Sequence, residues 1–154
     1  MHRLCWILTL VFAASTALLV YLFVVRGTTV PASDGRQAIL LAPGERDLVL
    51  AEMRAFLQAV QAVGQGIVDG DPGAVARAAR AVGMATQQEV PPSLVGKLPL
   101  AFKRLGFDTH TRFDELALNT EQFGDVEQAL PGLVELMQNC VACHATYRID
   151  VEAQ

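Results

Sequence analysis

Apolar residues along the chain follow two patterns, a continuous run near the N-terminus and a helical periodicity in the remainder. Residues 4–25 contain no charged residue, and Arg3 and Arg26 flank them. At about 1.5 Å per residue this run would form a helix of about 33 Å, which is long enough to cross a hydrocarbon core. The pattern therefore predicts a transmembrane anchor within residues 1–26.

A cleaved signal peptide is the competing interpretation of this segment. Signal peptides usually have an apolar core of only about 7–15 residues. The sequence Val30-Pro31-Ala32 is also a poor cleavage site, because a proline lies in its middle. We therefore favour an anchor. In either case the following chain is exported, because an amino terminus that carries Arg3 tends to stay in the cytoplasm, although Arg26 weakens that rule.

The rest of the chain reads as a linker followed by four helices. Residues 27–44 are rich in Gly, Pro and Ser, which is the composition of a flexible linker that would lift a domain off the membrane. Apolar residues then recur at steps of three and four, the period of an amphipathic helix. Helices are predicted at residues 45–68, 72–85, 109–123 and 130–148. Between them, residues 93–106 are predicted as a loop with one or two helical turns, because Pro99 interrupts the segment.

No alternating pattern of a β-strand is visible in this part of the chain. The sequence therefore predicts an all-α fold, an antiparallel four-helix bundle over residues 45–154 preceded by an N-terminal transmembrane helix. The length of 154 residues fits one such domain. The formal net charge of −4 argues against nucleic acid as a partner, because nucleic-acid-binding proteins usually carry a basic patch.

Residues 140–144 form the strongest chemical signal in the chain. They read C-x-x-C-H, the attachment motif of a c-type haem. In this motif two thiols add to the haem vinyl groups and the histidine ligates the iron. Positions i, i+3 and i+4 share one face of a helix. We therefore predict one covalent haem c, held by Cys140 and Cys143, with His144 as a metal ligand.

Two other interpretations of the motif are less favoured. A thioredoxin-like redox pair needs a βαβ setting, and no strand pattern lies near the motif. A closed zinc site needs four ligands, and Cys140, Cys143, His144 and the distant His110 would be an awkward set because Cys143 and His144 are adjacent. The predicted export supports haem, since c-type haem is attached outside the cytoplasm in bacteria. Cys5 lies in the apolar N-terminal run, so no cysteine pair is left for a structural disulfide.

The motif continues with Tyr147 and Arg148 three and four residues after His144, giving C-x-x-C-H-x-x-Y-R. With the predicted helices, residues 45–148 resemble the cytochrome c′ class, whose last helix carries this motif. The resemblance implies a four-helix bundle with a single haem, and Tyr147 and Arg148 are expected beside that haem. It also suggests a homodimer through the first two helices. The anchor departs from the usual soluble family member.

Members of this class divide by the residue on the opposite side of the haem from the proximal histidine. Low-spin members place a methionine of the first helix there, and high-spin members place a bulky apolar residue. Met53 lies on the predicted inner face of the first helix, so we expect it as the second metal ligand, which would raise the reduction potential. Leu50 or Leu57 in that place would leave a site open to NO or CO. His110 is a less favoured candidate ligand.

These residues predict a membrane-anchored c-type cytochrome that transfers one electron at a time. We expect it in the bacterial inner membrane, with the haem domain in the periplasm and unidentified proteins as redox partners. The alternative is a five-coordinate haem protein that binds NO or CO. No nucleophile, catalytic base pair or phosphate loop accompanies the motif, so we do not expect a turnover enzyme.

Overall fold

The structure, a computed structural model, describes residues 2–152 and is mostly helical. Its elements in chain order are α1 (His2–Val20), a π-helical segment (Tyr21–Arg26), β1 (Thr29–Pro31), β2 (Gln37–Leu41), α2 (Pro43–Val68), α3 (Pro72–Arg80), a 3-10 helix (Met84–Glu89), α4 (Pro92–Lys97), α5 (Leu100–Phe123), α6 (Val126–Thr146) and β3 (Tyr147–Val151).

Helix α1 is exposed over residues 3–20, whereas the π-helical segment that follows it contacts α4 and α5. The segment Arg3–Arg26 is long and apolar enough to span a membrane, and none of it is buried against the protein. This confirms the predicted apolar helix at the N-terminus. Length and composition alone do not separate an anchor from a signal sequence.

Helices α2, α3, α5 and α6 share the main apolar core. Each of them contacts its neighbours, and α6 closes back onto α2. Phe113 of α5 is fully buried, and its ring stacks on that of Phe56 of α2 with 5.6 Å between the centroids. Asp71 and Asp125 cap α3 and α6, because their carboxylates accept backbone N–H groups of the first turn.

Several helix boundaries differ from the predicted ones. Residues 93–106 were predicted as a loop with one or two helical turns. The short helix α4 and the break at Pro99 fit this prediction, but residues 100–106 are helical and belong to α5. Pro99 is the N-cap of α5, where a missing N–H costs nothing. Helix α6 begins at Val126 and runs through Pro131. Helix α3 ends at Arg80, earlier than expected, and a 3-10 helix follows.

The all-α prediction is wrong in one respect, because a three-stranded sheet joins the two ends of the domain. Strand β1 pairs antiparallel with β2, and β2 pairs parallel with β3. Tyr147 and Arg148 therefore lie in β3, opposite Gln37 and Ala38. The expectation that they continue the face of the last helix is wrong, since α6 ends at Thr146.

Residues 27–44, predicted as a flexible linker, are packed against the domain. Within β2, Ala38, Ile39 and Leu41 are buried. The backbone N–H of Thr28 donates to the carbonyl of Lys97 at 2.8 Å. A free coil is therefore wrong for this segment, while the domain boundaries at residues 26 and 44 stay a prediction.

The buried part of β2 belongs to a second apolar cluster at one end of the domain. It is formed by Ile39, Leu41, Val49, Leu94, Leu98 and Phe102. Met53, Cys143 and Tyr147 pack against it. This cluster therefore brings three of the residues singled out in the sequence next to one another.

Gly27 and Gly35 test how tightly the segment after α1 is fixed. Both have positive φ, 62° and 84°. A Cβ at Gly27 would meet the carbonyl oxygen of Lys97 and lie 2.7 Å from the nitrogen of Pro99, whereas a Cβ at Gly35 would meet nothing within 4 Å.

We expect Gly35→Ala to lower the free energy of unfolding by about 1–2 kcal/mol and Gly27→Ala to lower it at least twice as much. Urea unfolding in detergent measures this, and equal losses would contradict a packed junction.

Candidate functional site

The C-x-x-C-H motif lies in the last two turns of α6. Cys140 and Cys143 are half-buried there and His144 is exposed. Because the spacing is i, i+3 and i+4, the three side chains share one side of the helix. This side faces α2, the helix on which Met53 lies.

Two adjoining cavities lie along the contact between α2 and α6. The larger, of about 440 Å³, is lined by Leu50, Met53, Arg54, Phe56, Leu57, Val60, Met137, Cys140, Cys143 and His144. The smaller, of about 180 Å³, is lined by Arg36, Val49, Leu50, Met53, Phe102, Cys143, His144, Tyr147, Arg148 and Ile149. We call the two together the α2–α6 groove. All six residues predicted for the site line it, and four residues line both of its parts.

Met53 faces this groove from α2. Its side chain is half-buried and packs against both apolar clusters. Leu50, Met53 and Leu57 follow one another at steps of three and four, so they share the side of α2 that is turned to the groove. The structure thus places the predicted second ligand opposite the motif, with both leucine alternatives beside it.

The two motif thiols lie in surroundings that keep them neutral. Burial, with an added effect of the neighbouring Cys140, raises the pKa of the Cys143 thiol to about 11. Burial also raises the pKa of Cys140. Both cysteines are free thiols. Both thiols are therefore protonated at neutral pH, unlike the thiolates of reactive redox cysteines.

A cluster of charged residues closes the end of the groove near β3. Arg36 donates to the Asp34 carboxylate at 2.7 Å and to the carbonyls of His144 and Tyr147 at 3.3 and 3.4 Å. These hydrogen bonds from Arg36 lower the pKa of Asp34 to about 2. Arg148 donates to Asp150 and Asp34, at 3.0 and 3.3 Å. The cluster thus fixes the last carbonyls of α6 and the direction of β3.

Arg36 and Phe102 are among the groove residues that the sequence analysis did not single out. Arg36 lies in the segment read as a linker, and its only signal was a charge next to a short apolar run. Phe102 lies in the segment read as a loop, and its ring meets that of Tyr147 edge-on with 5.5 Å between centroids. Both are brought to the groove by contacts between residues far apart in sequence.

His110, the other candidate ligand, lies elsewhere. It is buried within α5 and does not line the α2–α6 groove. Its Nδ1 lies 2.7 Å from the carbonyl oxygen of Val82, to which it donates. Its Nε2 lies 2.7 Å from Nε2 of Gln87 and 3.3 Å from Glu52. Both ring nitrogens of His110 thus have protein partners.

Within residues 2–152, no group of three or more His, Cys, Asp or Glu side chains is arranged to hold a bare metal ion. Comparison of the chain with protein-family models, with curated proteins and with solved structures gave no match. The assignment of the site therefore depends on the motif and on the residues that line the groove.

The His110 network predicts a dependence of stability on pH. Burial lowers the pKa of His110, but the hydrogen bonds to Glu52 and Val82 outweigh it, so the pKa is raised above 6.5. A raised pKa adds stability that is complete below about pH 6.5 and is lost as the pH rises through the folded-state value. We expect the free energy of unfolding to fall above about pH 6.5. Urea unfolding across this range measures it.

Two variants test whether His110 is the group that makes the free energy of unfolding depend on pH. His110→Gln removes the titrating ring, and Glu52→Gln removes the carboxylate that favours its charged form. Both variants should flatten the fall in stability above neutral pH. An unchanged slope in both would show that other groups cause it.

Proposed function

We propose that this chain is a membrane-anchored c-type cytochrome of the cytochrome c′ class that transfers single electrons through one covalent haem. One observation carries the proposal. The three residues of the attachment motif on α6 line the same groove as Met53 on α2. A C-x-x-C-H sequence that occurred by chance would have no reason to face a soft sulfur ligand across a cavity.

Each residue of the motif has a separate role in this proposal. The S–H groups of Cys140 and Cys143 would each add across the double bond of one haem vinyl group to give the two thioethers, and the His144 imidazole would ligate the iron. When bound, the haem supplies an iron that alternates between ferric and ferrous states. The half-buried positions of the cysteines at the rim of the groove suit this attachment, because their sulfur atoms face an apolar space rather than bulk water.

Met53 is proposed as the distal ligand. A thioether is a soft ligand that favours ferrous iron and raises the potential. Beside Met53, its apolar neighbours Leu50 and Leu57 on α2 line the groove. Arg148 and Tyr147 bound its other end, where the Arg148 guanidinium is held by Asp34 and Asp150. We propose that they flank the haem as the resemblance to this class implies.

The arrangement of the longer helices also supports the proposal. Helices α2, α3, α5 and α6 contact one another in a closed order, as the helices of a four-helix bundle would. The sheet and α4 are additions to that plan. We propose that the four helices are the bundle of this class, with α6 as its haem-bearing helix.

The location follows from the N-terminal helix and the proposed haem. The segment Arg3–Arg26 would anchor the protein in the bacterial inner membrane. The domain would then face the periplasm, where c-type haem is attached, and exchange electrons with redox proteins there.

Covalent attachment is tested by removing one thiol. We expect Cys143→Ala to lose the covalent haem, because a thioether bond cannot form at that position. Haem staining of a denaturing gel, from cells with a working cytochrome maturation system, measures this. Cys5→Ser is the matched control, since Cys5 lies in α1, and it should stain like the wild type. A chain that never stains would contradict the proposal.

Met53→Leu tests the distal ligand. We expect the wild type to show a low-spin ferric spectrum with a methionine-to-iron charge-transfer band, and the variant to be high-spin and to bind CO. Met137→Leu is the matched control, because Met137 lines the groove but shares α6 with His144 and cannot reach across. It should keep the low-spin spectrum.

A second candidate function has its own support in the structure. Leu50 lines both parts of the groove beside Met53. Leu50 over the iron would give a five-coordinate haem that binds NO or CO. A high-spin ferric spectrum of the wild type would favour this candidate over electron transfer.

A further inference from the structure

The end of the spanning helix is fixed to the corner between α4 and α5. Nζ of Lys103 lies 3.2 Å from the carbonyl oxygen of Val24, and 3.4 Å from that of Val95. The next backbone contact joins Thr28 to the carbonyl of Lys97 at 2.8 Å. No free length of chain separates the spanning helix from the first turns of α5, so these turns lie close to the membrane.

The first turns of α5 also carry an unusual surface. Lys103 and Phe107 are four residues apart and share one side of the helix, and Arg104 is exposed next to them. Among the described residues, neither Lys103 nor Arg104 makes an ion pair with an acidic side chain. Phe107 is 43% exposed. We call Lys103, Arg104 and Phe107, with Arg26 at the end of the spanning segment, the α5 surface.

Asp108, the nearest acidic residue in the sequence, does not neutralise the positive charge of this surface. Asp108 accepts hydrogen bonds from Arg112 at 2.6 Å and from Asn139 of α6 at 2.7 Å. Its carboxylate is therefore turned toward α6 and already paired. The α5 surface keeps an excess of positive charge although the whole chain has a formal net charge of −4.

We infer that the domain rests on the membrane through the α5 surface and that its partner there is an anionic phospholipid surface. The inference rests on the proposed membrane anchoring. Cationic side chains next to a bilayer are attracted to anionic headgroups, and an exposed aromatic ring is favoured at the boundary between headgroups and acyl chains. Because Phe102, next to Lys103 in the same turn, lines the α2–α6 groove, this contact holds the groove close to the membrane surface.

Spin labels at the two ends of α5 test the inference. The full-length holoprotein with Cys5→Ser is placed in nanodiscs of equal parts phosphatidylglycerol and phosphatidylcholine, and a nitroxide is attached at Phe107→Cys or Phe123→Cys. Phe123, 75% exposed at the opposite end of α5, is the matched control. We expect the label at 107 to show about threefold lower access to a water-soluble nickel chelate, relative to oxygen, than the label at 123, because it lies at the lipid interface.

A charge variant tests the choice of lipid. Adding Arg104→Glu to the protein labelled at 107 should raise nickel access, and so should nanodiscs of phosphatidylcholine alone. Equal nickel access at positions 107 and 123 in the anionic nanodiscs would overturn the inference. Nickel access at 107 that is low but unaffected by Arg104→Glu and by lipid charge would overturn the anionic partner.

A third label separates this inference from the proposed anchoring and haem. Phe12→Cys places a nitroxide within α1, and it should be accessible to oxygen but not to the nickel chelate. If the label at 12 is protected from the nickel chelate while the label at 107 is not, the anchor is supported and only the proposed contact of the α5 surface is overturned. Nickel access at both positions overturns the anchor as well. Haem staining and the optical spectrum report on the haem independently of all three labels.

Discussion

The contact between α6 and α2 is the constraint on which the site depends. It places Cys140, Cys143 and His144 on one wall of a groove and Met53 on the other. Phe56 belongs both to the main core and to the lining of the groove, so packing of the core sets the separation of the walls.

A second constraint is the pairing of β2 with β3. It stops α6 at Thr146 and holds the chain that follows in an extended form. Arg36, just before β2, donates to the carbonyl of His144 and so satisfies a backbone group that the end of a helix leaves open. The segment that follows the N-terminal helix and the segment that carries the motif are therefore one packed unit. Motion of the end of the N-terminal helix relative to the groove would have to break this sheet.

The sequence was sufficient for features that depend on local chemistry. The apolar N-terminal helix follows from the length of its apolar run, and α2 follows from the period of its apolar positions. The sheet was missed because β2 is a short apolar run among Gly and Pro, and its partner β3 lies about 110 residues later. The start of α5 was placed too late, because Pro99 was not recognised as its N-cap. The partners of His110 could not be predicted, because Val82 and Gln87 come from other elements.

The two candidate functions differ in which residue of α2 would lie opposite His144, and the two candidate residues are close together along the helix. Leu50 and Met53 are three residues apart, which is about 4.5 Å along a helix axis, and both line both parts of the groove. In the proposed haem protein, the sulfur of Met53 and the aliphatic side chain of Leu50 would compete for one place opposite His144. The second apolar cluster favours the methionine, because Met53 is packed against it as well as against the main core. A side chain held from both sides loses less freedom when it binds iron than one that must first be ordered, which is the physical reason to prefer electron transfer.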